Sequence, residues 1–364
     1  MIAWSRSRPR VSPPSDTLNS VRTITVSVNA GSGMLVALAL VKGNAFMGNR
    51  TSSRFRAYAL RLFTGSAAVA LLVVAGCGQL AEKERELTFR VVPGTASWFG
   101  GLPPGVEEID LTVDANGKPQ RIHAWWWPAA VQHAPAVLYL HGSRWNLTGQ
   151  TNRIEQLHAF GFSVLAIDYR GFGKSDGGLP SEETVYEDSR AAWNRLAQLQ
   201  PDASLRIIYG HSLGGAVAID LAAHLSAGSA RAGTSAPARG VIVESSFTTL
   251  PDIARALSYA WLPVQLLMAQ KFDSLHKIAE LRMPVLIVHG AGDRFVPSRF
   301  SEELYQAAPE PKKLLLVTGA THNNSMRVGS AEYLQAMREL FGFRRLVAAI
   351  EAKSGDVLNL SLQD

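Results

Sequence analysis

The sequence predicts an α/β chain: a mainly parallel sheet covered by helices on both faces, with a small helical cap. Three observations carry this. Short, continuously apolar runs at 136–140, 162–167, 205–209, 240–244, 284–289 and 313–317 read as buried strands. Helical patterns alternate with most of them. The turns rich in glycine, serine and histidine fall directly behind those strands, at one end of the sheet.

Taken in order, residues 78–90 form a polar tether carrying Glu82, Lys83, Glu84, Arg85 and Glu86. Residues 87–105 show no clear period. Residues 107–113 alternate, and 121–127 answer them across Asp114-Ala115-Asn116-Gly117, the pattern of a hairpin. Trp125, Trp126 and Trp127 are expected to pack a sheet edge rather than to line a pocket. Helical patterns occupy 152–160, 182–199, 215–225 and 331–341. The Ala-, Gly- and Ser-rich stretch 226–238 reads as a surface loop. Between a core strand and the next, 249–281 carries Leu257, Trp261, Leu262, Val264, Leu266, Leu267 and Met268. These residues either roof a site or fill the core against the sheet. There is no internal repeat. One domain therefore spans 91–345, with its cap at about 249–281, and 346–364 is a tail.

The formal charge of +6 is unevenly placed. Residues 1–77 hold nine of the 36 basic residues and only one acid, Asp16, leaving 27 basic against 29 acidic residues in the remainder. The body of the chain thus lacks the basic surface that nucleic-acid binding needs. Within the leader, Arg50, Arg54, Arg56 and Arg61 precede residues 62–76, which are uncharged and mostly small or apolar. That run is short for a membrane span and fits the apolar region of an export signal. It ends at Val74-Ala75-Gly76-Cys77, and Cys77 is the only cysteine, which excludes a disulfide framework. This ending resembles the lipobox of bacterial lipoproteins. The resemblance implies a signal at 47–77, acylation of Cys77, attachment of the protein to a membrane of the bacterial envelope, and, with Gly78 following, an outer-membrane location facing the periplasm. Residues 1–46 read as an extension before the native start at Met47.

The chemistry centres on Gly210-His211-Ser212-Leu213-Gly214, between the strand 205–209 and the helical pattern after Gly215. A strand that turns straight into a helix leaves little room at its corner. Glycines two before and two after the serine let neighbouring backbone approach. The corner then presents the Ser212 hydroxyl, and the N–H of Leu213 points to where a negative oxygen would form. A serine hydroxyl needs a base to take its proton, and the base needs a third group to orient it. Asp293 follows the strand 284–289 and His322 follows the strand 313–317, so both belong to loops at the same sheet end as Ser212. The second oxyanion donor is expected from the N–H of Ser143, in the loop His141-Gly142-Ser143-Arg144. His211 and His289 are expected to be structural. No cluster of His, Cys and carboxylates has metal-ligand spacing, and no cofactor is required.

From about 135 to 341 the chain resembles the α/β-hydrolase superfamily, and within it the Bem-type, α/β-hydrolase-domain-containing serine hydrolases. The matching text is His141-Gly142, Asp168-Tyr169-Arg170-Gly171-Phe172-Gly173-Lys174-Ser175, Pro180-Ser181-Glu182, Gly210 to Gly215, Glu244-Ser245-Ser246-Phe247-Thr248, Gly292-Asp293 and His322-Asn323. The chain departs from many relatives where Ser143-Arg144-Trp145 replaces Asn-Ala-Gly. The resemblance implies a hydrolase of carboxylic esters or thioesters acting through Ser212, His322 and Asp293 on a small-molecule or lipid acyl ester. A peptidase or acyltransferase would keep the same residues, and a non-catalytic envelope lipoprotein would use the fold as a binding module. A dehalogenase would need Asp in place of Ser212.

Overall fold

The computed structural model describes residues 78–343, except 116, 235–237 and 260–262. The expectations for the leader, for acylation at Cys77 and for the tail fall outside the described residues.

The chain enters through helix α1, residues 78–89. The hairpin β1 (Glu107–Ala115) and β2 (Lys118–Trp127) follows, then β3 (Ala136–Leu140), α2 (Leu147–Ala159), β4 (Ser163–Ile167), α3 (Glu182–Leu199), β5 (Arg206–His211), α4 (Leu213–Ala232) and β6 (Gly240–Glu244). Three short helices come next: α5 (Leu250–Ala254), extended by a π turn (Arg255–Tyr259), then α6 (Val264–Leu267) and α7 (Ser274–Ile278). The chain ends with β7 (Val285–Gly290), α8 (Arg299–Ala307), β8 (Lys312–Val317), α9 (Ser325–Val328) and α10 (Ser330–Phe341). The eight strands lie in the order β1-β2-β4-β3-β5-β6-β7-β8. Only the β1–β2 and β2–β4 pairings are antiparallel. From β4 to β8 every neighbour is parallel.

Alternation along the strands divides the core in two. Leu138, Ile208, Val241 and Ile287 face α3, α4, α7 and α8. Val137, Ile207, Ile242 and Leu286 face α2 and α10. Because β3 to β7 are covered on both faces, each is buried along its length. That burial is why they read as unbroken apolar runs rather than alternating ones. The tryptophans behave as expected. Trp125 is buried and stacks on Phe99, Trp127 stacks on His158 at a ring-centroid distance of 3.9 Å, and none of the three lines the cavity beside Ser212.

Four local readings need correction. The stretch expected to be a tether is α1, and it is fastened. The Glu84 carboxylate accepts from the Ala269 and Gln270 amides at 2.8 and 2.7 Å, and Phe89 is buried among core aromatics. Helix α4 runs through residues 226–232 instead of stopping at 225. Alanine and arginine favour the helix there, and Gly233 closes it in a left-handed conformation. Helix α2 starts at Leu147 rather than 152, because the Asn146 side chain caps its first turn by accepting from Thr148 N. Helix α8, for which the sequence reading has no counterpart, buries Phe300 and Leu304 against the sheet.

Candidate active site

Strand β5 lies between β3 and β6 in the middle of the sheet, and Ser212 is the residue at which it becomes α4. Ser212 is held at φ 55° and ψ −119°, a conformation that costs a non-glycine residue about 1–3 kcal/mol. Its N–H donates to Glu244 O at 2.8 Å and its carbonyl accepts from Gly215 N at 2.9 Å, so both sides of the corner are fixed. The two flanking glycines are dictated by space. A Cβ on Gly210 would lie 2.0 Å from Gly214 O, and one on Gly214 would lie 2.1 Å from Leu140 O. Both obstacles are backbone.

Asp293 comes from the loop behind β7 and His322 from the loop behind β8. The two loops are joined by backbone hydrogen bonds from Ala291 N to Val317 O and from Gly292 N to Ala320 O, at 2.9 and 2.8 Å. This fixes the spacing between the two side chains. Asp293 Oδ2 lies 2.7 Å from His322 Nδ1, and His322 Nε2 lies 3.1 Å from Ser212 Oγ. A carboxylate only accepts, so Nδ1 carries the proton and the lone pair of Nε2 is aimed at the serine. Asp293 Oδ1 accepts from the amides of Phe295 and Val296 at 2.8 and 3.0 Å. Burial alone would raise the Asp293 carboxyl. Hydrogen bonds from His289 and His322 outweigh that and hold it well below the ordinary carboxylate range.

The neighbouring histidines have structural partners, as expected. His289 Nε2 lies 2.9 Å from Val296 O, so it carries the proton, and Nδ1 accepts from Ser301 Oγ at 2.7 Å. The same Nε2 stands 3.2 Å from Asp293 Oδ2 and braces it. His211 Nε2 donates to the carbonyl of His322 at 2.9 Å, and burial holds this ring well below its usual pKa range.

A buried polar network that sequence reasoning missed lies beneath the His322 loop. Glu244 is fully buried. One of its oxygens accepts from Arg153 Nη2 at 2.8 Å and from Ser325 Oγ at 2.7 Å. The other accepts from Tyr333 at 2.6 Å and from Tyr209. Arg153 also reaches Asn323 O at 3.3 Å. Burial would push the Glu244 carboxyl up, but Arg153, His211 and the two tyrosines bring it from about 4.5 down to about 2. Arg153 in the predicted helical stretch 152–160 and Glu244 closing the apolar run 240–244 were the signals available. The partners of Arg153 lie 91 to 170 positions away.

The loop after β3 carries Ser143, and Ser143 and Leu213 both line the cavity above Ser212. Neither N–H has an acceptor among the described residues. The loop is built by the amino-terminal segment. Ser143 Oγ donates to Thr88 O at 2.9 Å, Arg144 N donates to Phe89 O at 2.8 Å, and Val92 N donates back to Arg144 O at 2.8 Å. Arg144 sits at φ 81° to make this possible. The chain thus departs from the common Asn-Ala-Gly text and supports the loop from α1. His141 is buried against Tyr169 and Phe172 and bonds to Gly142 O.

Above Ser212 lies a cavity of about 1200 Å³. Leu250, Ile253, Leu257, Leu267 and Met268, from the segment between β6 and β7, line it together with Phe247. The expected roof residues Trp261 and Leu262 lie outside the described residues. Among the described residues, no group of His, Cys, Asp and Glu is spaced to hold a metal ion, and no helix is long and apolar enough to cross a membrane.

Residues 132–276 match the family model described as serine aminopeptidase, S33. The chain is 34% identical over 239 residues to the uncharacterized protein Rv2307c of Mycobacterium tuberculosis, covering 65% of this chain and 79% of that one. It is 28% identical over 231 residues to the uncharacterized protein YfhR of Escherichia coli K12, covering 62% and 76%. Among solved structures, an esterase of Pyrococcus furiosus superposes with a TM-score of 0.52 at 21% identity, covering 68% of this chain and 97% of that one. An α/β hydrolase of Vibrio vulnificus gives 0.51 at 23% identity, covering 65% and 82%. The chain belongs to the α/β-hydrolase superfamily. Its likeness to the curated relatives places it beside the mycobacterial and enterobacterial proteins just named.

Proposed function

We propose that this protein is a Bem-type serine hydrolase that cleaves a carboxylic ester or thioester through Ser212, His322 and Asp293. The observation that carries the reading is the continuous line from Asp293 Oδ2 to His322 Nδ1 and from His322 Nε2 to Ser212 Oγ, at 2.7 and 3.1 Å. These are the distances that proton transfer needs.

In this mechanism the substrate carbonyl enters the cavity beside Ser212. His322 takes the hydroxyl proton as Oγ attacks the carbonyl carbon, and Asp293 stabilises the imidazolium that forms. The N–H groups of Leu213 and Ser143 hold the oxyanion. Each such donor contributes about 10²–10³ in turnover. The tetrahedral intermediate collapses as His322 passes its proton to the leaving alkoxide or thiolate, leaving an acyl group on Ser212. A water molecule, deprotonated by His322, repeats the sequence and frees the acid.

The apolar wall favours an acyl chain over a peptide amino terminus. Two carboxylates line the cavity: Glu84, which is engaged by the Ala269 and Gln270 amides, and Glu155, which is exposed. A fluorophosphonate probe tests the reading directly. Wild type is expected to be labelled and Ser212→Ala not. Absence of label on both would favour a binding module. A panel of esters, thioesters, peptides and acyl acceptors then separates hydrolase, peptidase and acyltransferase. Anchoring through acylated Cys77 in the bacterial envelope is part of the same proposal, and release of Cys77→Ser from the membrane fraction is its test.

A further inference from the structure

Six of the large apolar side chains that stand exposed among the described residues line the same cavity: Leu80, Leu87, Trp98, Leu257, Leu267 and Phe295. They come from four separate pieces of chain, namely α1, the segment before β1, the cap and the Asp293 loop. Leu87 is 61% exposed and Phe295 is 65% exposed, and beside Leu267 stands Leu266 at 86%. Scattered exposed leucines need no explanation, but a ring of them around one opening marks an interaction surface.

Two further observations identify the occupant. Arg90, Arg144 and Arg327 border the same cavity, are exposed, and have no side-chain partner among the described residues; they outnumber the carboxylates that also line it, Glu155 and the amide-engaged Glu84. Arginines around an apolar rim match an anionic bilayer, with apolar groups in the acyl boundary and guanidinium groups at the phosphates. The second is chain reach. Leu80 is the third residue of α1 and already lines the cavity, while the uncharged apolar run 62–76 ends at Cys77. Three residues of chain span at most roughly 11 Å. Whatever holds residue 77 at a membrane therefore holds Leu80, on the rim, close to it.

We infer that this rim is a membrane-docking face, and that the cavity opens toward an anionic bilayer. The inference concerns orientation and stands apart from the chemistry at Ser212. Its consequence for substrate, an acyl ester drawn from the bilayer itself, rests on the proposed hydrolase function.

The test uses the full chain carrying Cys77→Ser, so that a single introduced thiol can hold an environment-sensitive fluorophore. Leu266→Cys places the label on the rim. Val131→Cys places it at the opposite end of the sheet, on another exposed residue. Phosphatidylglycerol vesicles containing brominated acyl chains supply the quencher. The label at 266 is expected to lose about half its fluorescence, since an interfacial face sits roughly 5–10 Å into the bilayer boundary. The label at 131 is expected to keep its fluorescence. Arg90→Glu with Arg327→Glu should weaken binding to phosphatidylglycerol vesicles more than to phosphatidylcholine vesicles. Equal quenching at both positions, or none at 266, overturns the inference. A dimeric mass with position 266 silent toward vesicles would give the rim to a second copy and overturn it equally. Ser212→Ala abolishes turnover of a vesicle-borne ester in the proposed mechanism but leaves quenching at 266 intact, so the two readings fail separately.

Discussion

Asp293 receives two amide hydrogen bonds on one oxygen and faces two imidazoles with the other. An asparagine there keeps the shape but reverses half of the polarity, and His322 loses the group that keeps its proton on Nδ1. Asp293→Asn is therefore expected to lower kcat by about 10⁴ with little change in melting temperature. Ester turnover and thermal denaturation of one preparation measure both. Glu244 makes the opposite kind of prediction, one of stability. Its folded pKa is about 2 against an ordinary value of 4.5. The unfolded chain thus binds the extra proton between those values. The stabilisation is complete above pH 4.5 and is lost as the pH falls toward 2. Glu244→Gln should flatten this acid limb in urea titrations taken at successive pH values. At neutral pH it should cost roughly 3–5 kcal/mol, because it strands the buried Arg153 guanidinium. Adding Arg153→Met should recover much of that loss.

The elements differ in how much they revealed beforehand. Helix α4 and strand β5 announce their junction because backbone clearance leaves only glycine at 210 and 214. Gly214→Ala drives a Cβ against the Leu140 carbonyl, which cannot yield without moving β3. A loss of roughly 3 kcal/mol, read from the urea midpoint, is expected. Doubly covered strands were legible for the same kind of reason, since burial on both faces leaves an unbroken apolar run. Ser212 and Asp293 were legible because each lies just beyond such a strand, and His322 because it follows the apolar run of β8, which the structure shows to be a half-buried edge strand rather than a fully buried one. Helix α1 was not. Glu82, Lys83 and Glu86 are exposed, the charges that fasten it meet backbone partners remote in sequence, and its core anchor, Phe89, comes at its last turn, so composition reads as linker. The end of α4 was misplaced because alanine, glycine and serine suit both a loop and a closely packed helix. The network around Glu244 was invisible because its members are scattered from Arg153 to Tyr333 and meet only in the folded sheet. Glu84 gives the element-scale test for α1. Glu84→Ala should free the Ala269 and Gln270 amides and speed protease cleavage between α6 and α7, with little change in the core.

For the molecule as a whole, the parallel sheet matters because it brings the loops behind β3, β5, β7 and β8 to one edge. The cavity there sets a preference that can be measured. Burying each further methylene contributes about 0.8 kcal/mol, so kcat/KM for p-nitrophenyl esters should rise ~fourfold per added methylene until the space is filled. A flat series would mean that the acyl chain stays outside. The amino-terminal segment has its own consequence, through the exchange of hydrogen bonds between Phe89, Val92 and Arg144. Anyone trimming the gene to the obvious catalytic body, starting at the first hairpin, would remove half of that clasp. The product would lose the Phe89 core anchor together with the support of the Ser143 loop, so its lack of turnover would say nothing about the Ser212 site.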